Sequence, residues 1–109
     1  MIEIAIRCVA LILAVGAGLH LWGSLQAFRP NTPERAWSLG AGGFALLLSA
    51  IGWVGAGRHD MALTTLIIIG CIGWIATVVA FGRSIANVAD PRVLYHILAA
   101  AALAILSLL

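Results

Sequence analysis

Apolar runs fill nearly the whole chain and are broken by polar residues at only three places, positions 29–35 (RPNTPER), 57–60 (GRHD) and 81–96 (FGRSIANVADPRVLYH). A helix that crosses about 30 Å of hydrocarbon needs about 20 mostly apolar residues. Four such segments fit, and the pattern predicts helices over 2–28, 33–57, 60–87 and 91–109. Connections this short make neighbouring helices antiparallel, so the expected fold is all-α, a single transmembrane domain spanning 1–109 built as an up-down four-helix bundle. The turns carry matching punctuation. Thr32 before Pro33, Asp60, and Asp90 before Pro91 are N-cap residues, two of them followed by a proline at the first helical position, and Gly57 suits the end of the second helix.

Inside the helices the informative pattern is the spacing of small residues. In the second helix Ser38, Gly42, Ala45, Ser49, Gly52 and Ala56 recur at alternating four and three. Lipid does not drive helices together by hydrophobicity, so a small-residue stripe of this kind reads as a close-packing face. The first helix places Leu13, Gly16, His20, Gly23 and Ala27 on one stripe, and the third places Gly70, Gly73, Thr77, Ala80, Ser84 and Asn87 on another. Trp37 and Trp53 fall at interfacial depth, while Trp22 and Trp74 lie deeper and are expected to pack.

Composition sharpens the class. A chain of 109 residues that is 63% hydrophobic and 9% charged, with a mean hydropathy of +1.13, has too little polar surface for a soluble domain. The first run is too long for the core of a signal peptide and is taken as a span. Six arginines and no lysine stand against four acids. They are confined to helix ends and turns, unlike the clustered basic face of a nucleic-acid binder, so no nucleic-acid partner is expected. Arg29, Arg35, Arg83 and Arg92 lie on the side of the first and third turns, against Arg7 and Arg58 on the other. The positive-inside rule then makes those two turns cytoplasmic and both termini external, in a bacterial inner membrane. Cys8 and Cys71 lie within apolar helix and read as small buried hydrophobes, and no metal-ligand spacing is present.

Candidate chemistry is sparse. His20 lies about 12 Å from its helix end, between Gly16 and Gly23, and His96 lies about 7–8 Å into the fourth span. A titratable group at such depth is a functional candidate, and its bland alternative is a neutral imidazole bonded to a Ser, a Thr or a carbonyl of a neighbouring helix. Arg83 sits at the edge of a packing seam, where it can reach lipid phosphates, pair with Glu34 or Asp90, or bind an anion. His20, Arg35, Arg83, Asn87 and His96 therefore form the candidate ligand-binding set. Gly16, Gly23, Ser38, Gly42, Ser49, Gly52, Gly70 and Gly73 form the candidate packing set. No catalytic residues are assigned, and a non-enzymatic role is expected. All four acids lie at helix ends, which argues against proton-coupled cation transport.

The PxxPE-type first turn (Pro30, Pro33, Glu34), the Gly-rich second helix and FGRSIANVADP with its Arg83–Ser84 pair resemble an uncharacterised family of small four-span bacterial membrane proteins of unknown function. The resemblance covers nearly the whole chain and implies the same four-span fold. That family tends to place an acidic residue in the fourth helix, where this chain has His96 and no acid. The expected role is a structural or accessory membrane subunit that packs with itself, as a homo-oligomer, or with a larger membrane complex, and that holds a membrane lipid or isoprenoid on its Arg-rich side. The alternative is a haem- or chlorophyll-type cofactor protein, with His20 and His96 as axial ligands.

Overall fold

The computed structural model describes all 109 residues, Met1–Leu109. It contains four helices and no strand: α1 (Ile2–Ala27), α2 (Pro33–Gly55), α3 (Met61–Ser84) and α4 (Pro91–Leu108). Each is long and apolar enough to cross a membrane, and the antiparallel bundle they form, 43 Å along its longest dimension, fits a small integral membrane protein. Helix α1 packs against both α2 and α4, and α3 packs against α4, while α2 and α3 meet only sparsely.

Side chains set the helix starts. Thr32 accepts from the Arg35 N–H at 3.4 Å and donates to the Arg29 carbonyl at 2.8 Å. Asp60 accepts from the N–H groups of Ala62 and Leu63 at 2.8 and 3.2 Å, and Asp90 accepts from that of Arg92 at 2.9 Å. These oxygens occupy backbone donors that have no partner in the first helical turn. Gly57 closes α2 with φ +78°.

Helix α3 ends earlier than its polar pattern predicts, at Ser84 instead of Asn87. The Ala86 N–H bonds to the Arg83 carbonyl at 3.0 Å and the Asn87 N–H to the Gly82 carbonyl at 2.8 Å, which is the hydrogen-bond pattern of a Schellman motif. Ala86 holds the left-handed position, φ +54°, where glycine is usual. The chain then folds back over Gly82, whose missing Cβ would lie 3.0 Å from the Val88 Cα. The other three helices end one or two residues short of their predicted bounds.

The inward faces agree with the small-residue stripes in one helix out of three. In α2 Gly42, Ala45, Ser49 and Gly52 are buried, as is Ala56 just beyond its end, and Ser38 is half-buried. In α1 the inward stripe is Ile6, Ala10, Leu13, Ala17, His20 and Ser24, with Gly16 beside it. Gly23 faces outward with open space around it, and Trp22 is 64% exposed, against the expectation that both pack. In α3 the reading is displaced by about one residue. The buried positions are Ile67, Cys71, Trp74, Val78 and Gly82, whereas Gly73, Thr77, Ala80 and Ser84 are exposed. Gly70 is half-buried, against Leu48. The physical reason lies in Trp74, whose indole N–H needs an acceptor and finds one only inside the bundle. Thr77 can face lipid because its hydroxyl donates to the Gly73 carbonyl of its own helix at 2.9 Å.

Candidate functional site

The two histidines meet in the half of the bundle that carries the first and third turns, and each is held by partners on a neighbouring helix. His20 on α1 directs Nε2 at the Ser38 carbonyl of α2, 3.0 Å away, with the Ser38 Oγ at 3.3 Å. A carbonyl can only accept, so His20 carries its proton on Nε2. The Ser24 hydroxyl donates to the His20 carbonyl at 2.8 Å and accepts in turn from the Ser38 hydroxyl. Every hydroxyl and the Nε2–H of this α1–α2 link are thus satisfied with neutral groups.

The corresponding link between α3 and α4 is Trp74 Nε1–H donating to His96 Nδ1 at 3.3 Å. An indole can only donate, so His96 is neutral with its proton on Nε2. Trp74 joins the two links. Its ring centroid lies 6.4 Å from that of His20 and 5.3 Å from that of His96, both edge to face. Tyr95 completes the cluster, edge-on to His96 at 5.4 Å, and its hydroxyl donates across to the Ile12 carbonyl of α1. All four helices therefore contribute to one polar-aromatic layer inside an otherwise apolar bundle.

Two glycines make that layer possible. A Cβ on Gly16 would overlap the Tyr95 ring and lie 2.9 Å from His96 Cε1, and a Cβ on Gly42 would lie 2.5 Å from Leu21 Cδ2 and 3.1 Å from His20 Cδ2. On the Gly16 side of His20 the space that a flat macrocycle would require is filled by the Tyr95 and His96 rings, while the Gly23 side is open. His96, with Nδ1 accepting from Trp74 and its proton on Nε2, offers neither nitrogen to a metal as it stands, whereas His20 keeps Nδ1 free. The two histidines therefore do not form a pair of axial ligands in this arrangement.

The remaining members of the candidate set stand apart. Arg83 and Asn87 are exposed and Arg35 is half-buried, and no hydrogen bond or ion pair links any of the three to His20 or His96. Asn87 serves the third turn, accepting from the Ala89 N–H at 3.1 Å. Arg83 is not paired with Glu34 or Asp90. The Asp90 carboxylate is taken by Arg92, through Nε at 2.9 Å and Nη2 at 3.0 Å, and those side-chain hydrogen bonds, foremost among the causes, hold its carboxyl below the usual carboxylate range. Arg92 also lies over the Phe81 ring at 5.4 Å.

Sequence reasoning missed Ser24 and Tyr95 as partners, and it treated Trp74 as a packing residue. The signal for Ser24 was present, since it lies four residues after His20 and so shares its face. Nothing in the sequence pairs Trp74 with His96. No group of His, Cys, Asp and Glu in the chain has the arrangement to hold a metal ion. The chain matches no protein-family model, no curated protein and no solved structure.

Proposed function

We propose that this chain is a structural or accessory subunit of a bacterial inner membrane, non-catalytic, that packs with copies of itself or with a larger membrane complex and holds lipid near Arg35 and Arg83. The observation that carries this reading is the outward face of α2 near the first turn. Gly40 and Gly43 have nothing within 4 Å of where a Cβ would stand, and Ala36 and Leu47 continue the same exposed face. A smooth face of this kind permits close helix approach from outside. The polar layer within, by contrast, uses the Ser38 hydroxyl, the Trp74 N–H and one nitrogen of each imidazole to hold helices together, which is a structural duty. First and third turns facing the cytoplasm accords with the excess of arginine there.

The test is the mass of the protein in mild detergent, measured by native mass spectrometry for the wild type and for a Gly40→Leu/Gly43→Leu double variant, with helicity followed by circular dichroism. An oligomer or co-purified partner is expected for the wild type, and a monomer of unchanged helicity for the variant. A wild type that runs as a bare monomer overturns the packing role. Arg83→Ala is expected to lower retention of anionic lipid, and unchanged retention removes the lipid component.

A further inference from the structure

At the opposite end of the bundle a groove of about 260 Å³ runs between α1 and α2, walled by Ala10, Leu11 and Ala14 on one side and Leu46, Ala50 and Trp53 on the other. Ser49, which completes the lining, has its hydroxyl committed to the Ala45 carbonyl at 2.8 Å, so the floor offers no free polar group. Leu11, Leu46, Ala50 and Trp53 are exposed, which opens the groove to the surrounding lipid. Small residues make the trough and large ones its rim.

A cation is fixed at its mouth. The Arg7 guanidinium carbon lies 5.7 Å from the centroid of the Trp53 ring, within the range of a cation–π contact, and Nη2 pairs with Glu3 at 2.8 Å. Glu3 is itself confined, because its carboxylate abuts Gly57, where a Cβ would fall 2.8 Å away. Arg7 Nε is enclosed and has no hydrogen-bond partner. The side chain nonetheless remains 42% exposed, leaving guanidinium N–H groups available beyond the one that Glu3 takes.

We infer that this groove binds one acyl chain of a phospholipid whose phosphate is met by Arg7. The groove supplies apolar shape complementarity at hydrocarbon depth. Arg7, about 10 Å nearer the surface than Ala14 along the helix, supplies a positioned fork of donors for a phosphate oxygen. A phosphate brings the charge opposite to the guanidinium, whose free N–H groups it would accept from. The site lies on the side away from Arg35 and Arg83, so it stands or falls independently of the lipid component of the proposed function.

The experiment uses the full chain in maltoside micelles doped with either dioleoylphosphatidylglycerol or dioleoylglycerol, which share acyl chains and differ in the phosphate, with bound lipid counted by native mass spectrometry. In an Arg83→Ala background, which removes the lipid proposed for the other side, the chain is expected to retain one phosphatidylglycerol and about tenfold less dioleoylglycerol. Arg7→Gln should bring phosphatidylglycerol down to the dioleoylglycerol level. Ala50→Phe, which fills the trough from its lipid-facing side, should reduce both about tenfold with helicity and assembly mass unchanged. The same loss on Arg7→Gln is expected whether Arg83 is present or replaced. Equal retention by the Arg83→Ala chain and by its Arg7→Gln and Ala50→Phe derivatives overturns the inference. So does an Ala50→Phe variant that changes the assembly mass and leaves lipid retention intact, an outcome that assigns the groove to a protein contact.

Discussion

The two ends of the bundle are held by different physics. Toward the first and third turns the interior contains His20, Ser24, Ser38, Trp74 and His96, joined across all four helices by directional contacts. Toward the termini and the second turn the interior is aliphatic, with Ile6, Ala10, Leu48, Ile67 and Leu103 buried, and it widens into an open bowl of about 460 Å³ bordered by Glu3, Arg58, His59 and Thr64. Lipid gives little reason for one apolar helix face to turn inward over another. Hydrogen bonds do, because an unpaired donor or acceptor in hydrocarbon costs free energy. The polar end sets the rotation of each helix about its axis, and the aliphatic end fills the space that remains. A charged collar fixes that end from outside, with Arg7 and Glu3 paired over Trp53.

Substitutions that break this contrast should rank accordingly. Gly16→Ala drives a methyl into the Tyr95 and His96 rings and should destabilise by about 2 kcal/mol, the middle of the usual range for overpacking; reversible unfolding in mixed micelles measures it, and a neutral result would show that the layer is loose. Trp74→Phe removes the only N–H that reaches His96 Nδ1. A loss of about 1–2 kcal/mol is expected, and two-dimensional NMR of the imidazole would report the freed Nδ1 directly.

At the other end the expected effects are smaller. Gly57→Ala places a Cβ at φ +78° and against the Glu3 carboxylate. The backbone cost is about 1 kcal/mol, and the displaced Glu3 should loosen Arg7, visible as greater exposure of Trp53 in fluorescence quenching. A loss above that of Gly16→Ala would reverse the contrast between the ends. The least effect belongs to Asp90. Its carboxyl is held low by Arg92, so its stabilising contribution is complete above the ordinary carboxylate value of about 4 and is lost as pH falls through the lowered value. Thermal unfolding followed from pH 6 to pH 2 should show a small acid-side decline that Asp90→Asn lacks.

Much of this protein is written in local sequence. Four apolar runs, three polar turns, and the caps Thr32, Asp60 and Asp90 depend on residues within a few positions of one another, and the helices begin where those residues stand. The stripe of α2 is legible for the same reason, since its small residues keep one face over the whole length of the helix. The third turn was less so: Ala86 occupies a left-handed position that its identity does not announce, and the reason lies in contacts with Gly82 and Val88.

What the sequence alone determined is therefore the set of spans and their order, because crossing a bilayer is a requirement each helix meets by itself. Which face of α3 turns inward, and what His20 and His96 are for, was decided only by the tertiary structure. In an all-apolar helix two neighbouring faces differ little in hydrophobicity, and the choice between them rests on a single indole N–H finding an imidazole on another helix. That pairing joins residues 22 positions apart, and no spacing rule within one helix can express it.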